Sequence, residues 1–383
     1  MGFTFTVLQV IPEIETGGAE RSTVEIARAV IAAGGRALIA TRGGRLADEI
    51  VDAGGKVFPM PVHSKNPAVI WANRGRLLSL IREEGVDIVH VRSRAPAWSA
   101  LWAARAAGKP LVATYHGAYR AANPLKRFYN SAMVRADIVI ANSEYTAAAI
   151  RAGYKLEARR LKVIPRGADL MRFDPAGVSQ ARIDALTRAW GIGGGDSAFR
   201  LLLPARLTAW KGQAPAIEAV AKLAASGQAL DLQVALAGSA QGRDEYAAAL
   251  QRRIETRGVG DMVHLVGDCA DMPAAIAWAD AVLCPSTRPE AFGRVAIEAG
   301  AMGKTVIASD HGGARETIVD RDTGLLTPPG DVEALAEAIA SLMAMSRAER
   351  GAMGARGRAR VQRLYSSEAM CRATLEAYRE LAA

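Results

Sequence analysis

Short apolar runs rich in β-branched residues alternate with Ala-, Leu- and Arg-rich stretches along almost the whole chain. FTVLQVI, ALIAT, KVFPM, VDIVHV, PLVATYH and ADIVIAN are separated by segments such as AERSTVEIARAVIAAG and RGRLLSLIREEG. Strands this apolar have no polar face to offer water. The alternation therefore predicts a parallel sheet with helices over both faces. Around 174–198 the period fades through DPAGVSQ and GIGGGDS, which reads as a linker, and then restarts in FRLLLPA, LQVALAG, MVHLVG, ADAVLCPS and TVIASD. The expected class is α/β, with two doubly wound domains in tandem. At 383 residues the chain is long enough for two cores.

Composition narrows the function classes. Half of the residues are hydrophobic and 23% charged, an ordinary globular balance. No uninterrupted apolar stretch reaches the roughly 18–20 residues of a membrane span. The opening MGFTFTVLQVIP has no basic residue before its apolar part and reads as a first strand, not a signal peptide. Cys269, Cys284 and Cys371 are scattered, which speaks against a disulfide framework or a zinc site and for a reducing cytoplasm. Residues 1–190 carry 27 Lys/Arg against 16 Asp/Glu, a net of +11, whereas residues 191–383 carry 21 against 23, a net of −2. A basic first half attracts anionic surfaces. An Arg-rich genome would leave the same excess.

In doubly wound sheets ligands bind beyond the carboxyl ends of the strands, and a ligand shared by two such domains would sit in the cleft between them. The first strand leads into PEIETGGAERS, where Gly17 and Gly18 open a helix. Glycines there let the backbone approach a phosphate, and the helix start supplies unpaired N–H donors, although a plain strand–helix turn looks the same. His116 follows LVATY. A strand-end histidine can hydrogen-bond a polar ligand near neutral pH, and a lone histidine can equally be structural. PARLTAWKG places Arg206 and Lys211 just past FRLLLPA, where a guanidinium fork and an ammonium point charge suit a diphosphate.

The stretch RPEAFGRVAIE, residues 288–298, follows the strand-like AVLCPS. A helix starting near Gly293 or Arg294 would aim the N–H groups of Phe292, Gly293 and Arg294 at an anion. Glu290 precedes that helix and Glu298 lies one turn into it. Carboxylates are poor phosphate ligands but accept hydroxyl hydrogen bonds side by side, as vicinal diols of ribose or a hexose present them. One anion site flanked by two diol sites fits a nucleoside-diphosphate sugar.

GGAERS, ATYHG, ANSEY, VIPRGAD, PARLTAWKG, RPEAFGRVAIE, SDHGGARE and TGLLTPPGD together resemble the family 4 retaining glycosyltransferases of the GT-B fold, over nearly the whole chain. RPEAFGRVAIE carries their Glu-x7-Glu motif. The resemblance implies two Rossmann-like domains facing across a cleft. Residues 1–180 would bind the acceptor, residues 181–365 the donor, and a helix over about 366–383 would cross back to the first domain. It implies that Glu290 contacts the donor sugar and Glu298 the ribose. Arg206 and Lys211 would hold the diphosphate, helped by Gly17, Gly18 and the backbone of Ala291, Phe292, Gly293, Arg294 and Val295. His116 would lie beside the transferred sugar, so His116, Arg206, Lys211 and Glu290 form the expected catalytic set. Arg166 stands where many members carry Asn.

Negative charge building on the departing β-phosphate would be stabilised by Arg206, Lys211 and a helix start, so no metal or other cofactor is expected. Asp320-Arg321-Asp322 has a metal-binding look but falls in the turn before TGLL and reads as a loop. The resemblance implies retention of configuration. No carboxylate stands out for double displacement, and same-face substitution is expected.

The acceptor is expected on the first domain, near Arg92 and Arg94 of HVRSRAPAW and Arg120, Lys126 and Arg127 of YRAANPLKRFYNSAMVR. A basic helix that also carries Leu125 and Phe128 can lie on an anionic bilayer, or be a surface helix whose apolar side is core. These two segments are also similar to transferases of bacterial lipopolysaccharide cores and other glycolipids. That implies a membrane-linked glycan or lipid acceptor and a cytoplasmic, peripheral place on the inner face of the membrane. Three rivals remain. An epimerase or phosphorylase of the same fold would act without this acceptor. An envelope-assembly scaffold would not need the charged set intact. A nucleic-acid binder would need its basic and aromatic residues arrayed on one face, and here they are dispersed.

Overall fold

The structure, a computed structural model, describes residues 3–382 apart from 16, 120–122, 194, 196, 229 and 230. The chain forms two compact units, Met1–Arg166 with Ser367–Ala383, and Gly167–Ser366. The first holds β1 (Thr6–Val10), β2 (Arg36–Thr41), β3 (Lys56–Pro59), β4 (Ile88–Val91), β5 (Leu111–Tyr115), β6 (Ile138–Ala141) and β7 (Leu161–Val163). They form one parallel sheet in the order β3-β2-β1-β4-β5-β6-β7. The second holds β8 (Phe199–Pro204), β9 (Leu232–Ala237), β10 (Val263–Gly267), β11 (Ala281–Cys284), β12 (Thr305–Ser309) and β13 (Gly324–Thr327). Their order is β10-β9-β8-β11-β12-β13, again all parallel. Both sheets are α/β and doubly wound, as the alternation predicts. In each the strand order reverses beside the first strand, at β1/β4 and at β8/β11.

Every residue of β1, β4, β5 and β6 is buried. Because successive strand side chains point to opposite faces, Leu8 and Val10 join a core with the helices Pro67–Glu83 and Ala97–Ala106, while Val7 joins a second core with the helix Gly18–Ala32. The final helix, Ser367–Ala382, belongs to the first unit and brings Met370, Cys371, Leu375 and Tyr378 into that second core. The Tyr378 hydroxyl lies 2.5 Å from His90 Nδ1 on β4, and Thr114 Oγ1 on β5 lies 2.7 Å from His90 Nε2. One buried imidazole thus ties the last helix to the middle of the sheet.

The structure differs from the sequence expectation in three places. The first unit ends at Arg166, not near 180. Within the stretch read as a linker, Gln180–Trp190 is a helix packed on the helix Met272–Trp278. There Trp190 meets Trp278 edge-on at 5.3 Å, and Arg182 donates to both Asp271 oxygens at 2.8 and 2.6 Å. Finally, β7 and β13 are edge strands of only three and four residues, too short to carry a period of their own.

Candidate active site

In the second unit the reversal of strand order fixes which loops meet. The loop after β8 carries Arg206 and Lys211, and the loop after β11 carries Ser286 and Glu290. Lying next to each other at the switch point, β8 and β11 bring the two loops together. The approach is tight. Gly212 adopts φ +85°, and a Cβ there would fall 2.0 Å from the carbonyl oxygen of Pro285. Lys211 Nζ donates to Glu290 Oε1 at 2.8 Å, and Ser286 Oγ donates to the same oxygen at 2.5 Å. Burial pushes the Glu290 carboxyl up, but the Lys211 charge and hydrogen bond, the Ser286 hydroxyl and His311 outweigh it and leave it below the ordinary carboxylate value. Arg206 is exposed, and its carbonyl accepts from Gln213 Nε2 at 3.0 Å.

The segment after Glu290 turns into a helix, Arg294–Ala301, capped by Gly293 at φ +89°. Ala291 lies between Glu290 and Phe292, whose ring is buried against Tyr365 at 5.6 Å, and Val295 packs on the same core. Phe292 therefore offers a ligand only its backbone. Arg294 Nε donates to Glu298 Oε1 at 2.8 Å, one turn apart on the same helix, with both side chains mostly buried. The loop after β12 backs this segment. Gly313 N–H donates to Glu290 O at 2.9 Å, and a Cβ on Gly313 would fall 2.3 Å from Phe292 Cα. Both ring nitrogens of His311, just ahead of it, are buried with no hydrogen-bond partner among the described residues.

In the first unit His116 follows β5. Its Nδ1 lies 2.7 Å from Arg166 Nη2, and its Nε2 is buried with no hydrogen-bond partner among the described residues. Burial first, then the charges of Arg166 and Arg92 and the neighbouring His90, hold its pKa well below the usual 6.5. Gly18 opens the helix after β1, and the N–H of Gly17 donates to Glu20 Oε2 at 2.6 Å, so a side chain of that helix already takes one of the donors expected for phosphate.

The basic residues expected to meet the acceptor separate into different environments. Arg92 is 2% exposed, and its guanidinium donates to Gln9 Oε1 at 3.2 Å and Ser22 Oγ at 2.6 Å. Expected near the acceptor, Arg92 is instead enclosed at the central β1/β4 pair under the helix Gly18–Ala32, where burial lowers its pKa to about 10. Arg94 lies over the Tyr119 ring at 3.9 Å and donates to Asn130 Oδ1 at 3.3 Å. Arg120 lies outside the described residues. Lys126 and Arg127 are exposed on the helix Pro124–Val134, beside Leu125 and Phe128, which are 78% and 57% exposed. Phe128 stacks on Trp98 at 4.9 Å, with Trp102 next to Trp98 at 5.3 Å.

Asp320-Arg321-Asp322 forms a turn in which Arg321 N–H donates to Gly324 O and Asp320 Oδ1 accepts from Leu326 N–H, both at 2.8 Å. Among the described residues no group of three or more His, Cys, Asp or Glu is placed to hold a metal ion, and no helix is long and apolar enough to cross a membrane. Sequence reading missed Ser286, His311 and the pairings of Arg166 with His116 and Arg294 with Glu298. The only available signal for His311 was its place in SDHGGARE.

Residues 16–172 match the family described as Glycosyltransferase Family 4, and residues 195–360 match Glycosyl transferases group 1. The crystal structure of a glycosyltransferase from Rickettsia africae ESF-5 superposes with a TM-score of 0.89 and 32% identity, over 99% of this chain and 98% of that one. A GDP-mannose-dependent alpha-(1-6)-phosphatidylinositol monomannoside mannosyltransferase of Mycolicibacterium smegmatis is 31% identical over 74% of each chain. A D-inositol 3-phosphate glycosyltransferase of an Arthrobacter species is 30% identical over 63% of this chain, and the match spans 58% of that protein's length.

Proposed function

We propose that this chain, which belongs to the family 4 glycosyltransferases and has the GT-B fold, transfers a sugar from a nucleoside diphosphate, with retention, to a hydroxyl of a membrane-linked acceptor. The observation that carries the donor is the joining of Lys211, Ser286 and Glu290 at the β8/β11 switch point, with Arg206 exposed in the same loop as Lys211. Cations there suit a diphosphate, and an ionised Glu290 suits sugar hydroxyls. The nucleotide-sugar dependence in the name of the Mycolicibacterium smegmatis relative supports the same donor class.

The chemistry asks little of covalent catalysis. The C1–O bond to the β-phosphate breaks, the acceptor oxygen bonds to C1 from the same face, and the acceptor proton passes to the departing phosphate oxygen. Arg206 and Lys211, with the helix start at Gly293–Arg294, would stabilise the charge on that phosphate, which supplies the positive charge without a metal. Lys211 then has two partners in turn, Glu290 in the free protein and the diphosphate when donor is bound. Glu298 would hold the ribose hydroxyls with its carboxylate already oriented by Arg294.

For the acceptor, Leu125, Phe128 and Trp102 are exposed apolar side chains beside the cations Lys126 and Arg127. Apolar side chains flanked by cations favour the interface of an anionic bilayer, and the phosphatidylinositol mannoside in the name of the same relative is a lipid-linked acceptor. We place the enzyme on the inner face of the cytoplasmic membrane on this ground.

Calorimetric titration with uridine, guanosine and adenosine diphosphate sugars, with and without EDTA, tests the donor. Saturable binding of one, unchanged by chelator and weakened together with the free nucleotide in Glu298→Ala, is the expected result. Unchanged affinity of Glu298→Ala for the free nucleotide would remove the ribose role. For the membrane, Lys126→Glu with Arg127→Glu should lose binding to anionic vesicles in low salt, and retained binding would reject that surface.

A further inference from the structure

His116 has one nitrogen held by the protein and one left over. Arg166 Nη2 approaches His116 Nδ1 at 2.7 Å, and Arg166, following β7, is 8% exposed. A guanidinium has five N–H donors, no acceptor, and keeps its proton at any ordinary pH. The hydrogen bond therefore runs from arginine to histidine, and Nδ1 must present its lone pair. A neutral imidazole with a lone pair on Nδ1 carries its proton on Nε2. An imidazolium would set an N–H of the ring against an N–H of the guanidinium, a collision of two donors and two positive charges. The remaining Nε2–H is the group that lies buried without a partner among the described residues, and a buried donor left unsatisfied is costly to keep.

We propose that Arg166 is a positioning residue that fixes His116 as the Nε2–H tautomer, so that His116 meets its ligand as a hydrogen-bond donor and is disqualified as a base. Resting on the sugar-transfer reading above, the ligand atom is an oxygen of the transferred sugar. The consequence for that reading is specific. With no lone pair free on His116, the acceptor proton cannot leave through this histidine, which agrees with its passage to the departing phosphate. The low pKa of His116, set by burial and then by Arg166, Arg92 and His90, acts in the same direction.

The test has two arms. Nitrogen-15 spectra of the histidine rings, assigned by His116→Gln, read the tautomer directly at pH 7. The wild type should give a pyrrole-like Nε2 and a pyridine-like Nδ1 for His116. Arg166→Met should lose that preference, and Arg166→Lys, which keeps a charged donor, should restore it at least in part. A wild-type ring protonated on Nδ1, or an unchanged spectrum in Arg166→Met, overturns the proposal. In the second arm, Arg166→Met should lower affinity for the sugar nucleotide about tenfold, the weight of one misdirected hydrogen bond, and leave affinity for the free nucleoside diphosphate unchanged. Equal loss for both ligands overturns the assignment to the sugar. If the wild type binds no sugar nucleotide, the donor reading fails and takes the ligand assignment with it, while the spectra still decide the tautomer.

Discussion

Replacing Lys211 by Met keeps the aliphatic stem and removes the charge that stabilises Glu290. The carboxylate then keeps its burial and its Ser286 hydrogen bond but loses the cation 2.8 Å away. Breaking one side of a buried ion pair costs about 3–5 kcal/mol. Glu290 has an escape, because it can take up a proton. From an ordinary value of 4.5, protonation at pH 7 costs roughly 3.4 kcal/mol, at about 1.4 kcal/mol per unit. The loss at pH 7 should therefore be capped near 3 kcal/mol. In the wild type the folded pKa of Glu290 lies below its unfolded value, so its stabilising contribution is present above pH 4.5 and is lost as pH falls through the folded value. In Lys211→Met burial, the largest influence, is opposed only by the Ser286 hydrogen bond and His311, the folded pKa rises above 4.5, and the penalty shrinks on acidification. The gap between variant and wild type should narrow to about 1 kcal/mol by pH 5.5. Adding Glu290→Gln should recover most of the loss at pH 7. Urea unfolding followed by tryptophan fluorescence at pH 7 and 5.5 measures all three proteins. A gap that does not change with pH, or a double variant no more stable than Lys211→Met, would show that the ion pair is not what fixes this corner of the site.

Two further outcomes follow from packing and titration. His90, like His116, is buried with its pKa well below 6.5, through burial first and the Arg92 charge second. Below pH 6.5 the unfolded chain takes up protons that these folded rings refuse, so stability is complete above that pH. It should fall by about 1.4 kcal/mol per unit per histidine as pH drops. Thermal unfolding between pH 7 and 5 should have a shallower slope in His90→Gln, and an identical slope would mean the ring is protonated in the fold. Gly212→Ala should cost well over the roughly 1–3 kcal/mol of a left-handed residue alone, because its Cβ would also strike Pro285. Gly258→Ala, at φ +64° with nothing within 4 Å, carries the backbone term without the clash, and equal destabilisation of the two would refute the contact.

Much of this protein is set by local sequence. Runs such as FTVLQVI and ADIVIAN have too few polar atoms to face water, so two parallel sheets covered by helices follow from composition and period alone. The chemical kinds of the candidate site, two cations past β8 and two carboxylates around β11, were also legible, because residue type and distance along the chain suffice to find them. Partners were not legible. Lys211 and Glu290 are 79 residues apart, and only the reversal of strand order at β8/β11 makes them neighbours. Arg92 and Arg94 read alike in HVRSRAPAW and would share a face if the strand went on, yet β4 ends at Val91 and the chain bends at residues 93 and 94, which leaves Arg92 under a helix and Arg94 over Tyr119. The helix Gln180–Trp190 looked like a linker because what holds it, Trp278 and Asp271, lies far along the chain. Arg166 shows the limit most plainly. In the sequence it is one more cation, and only the fold, by closing a guanidinium onto a single imidazole nitrogen, decides which proton His116 carries.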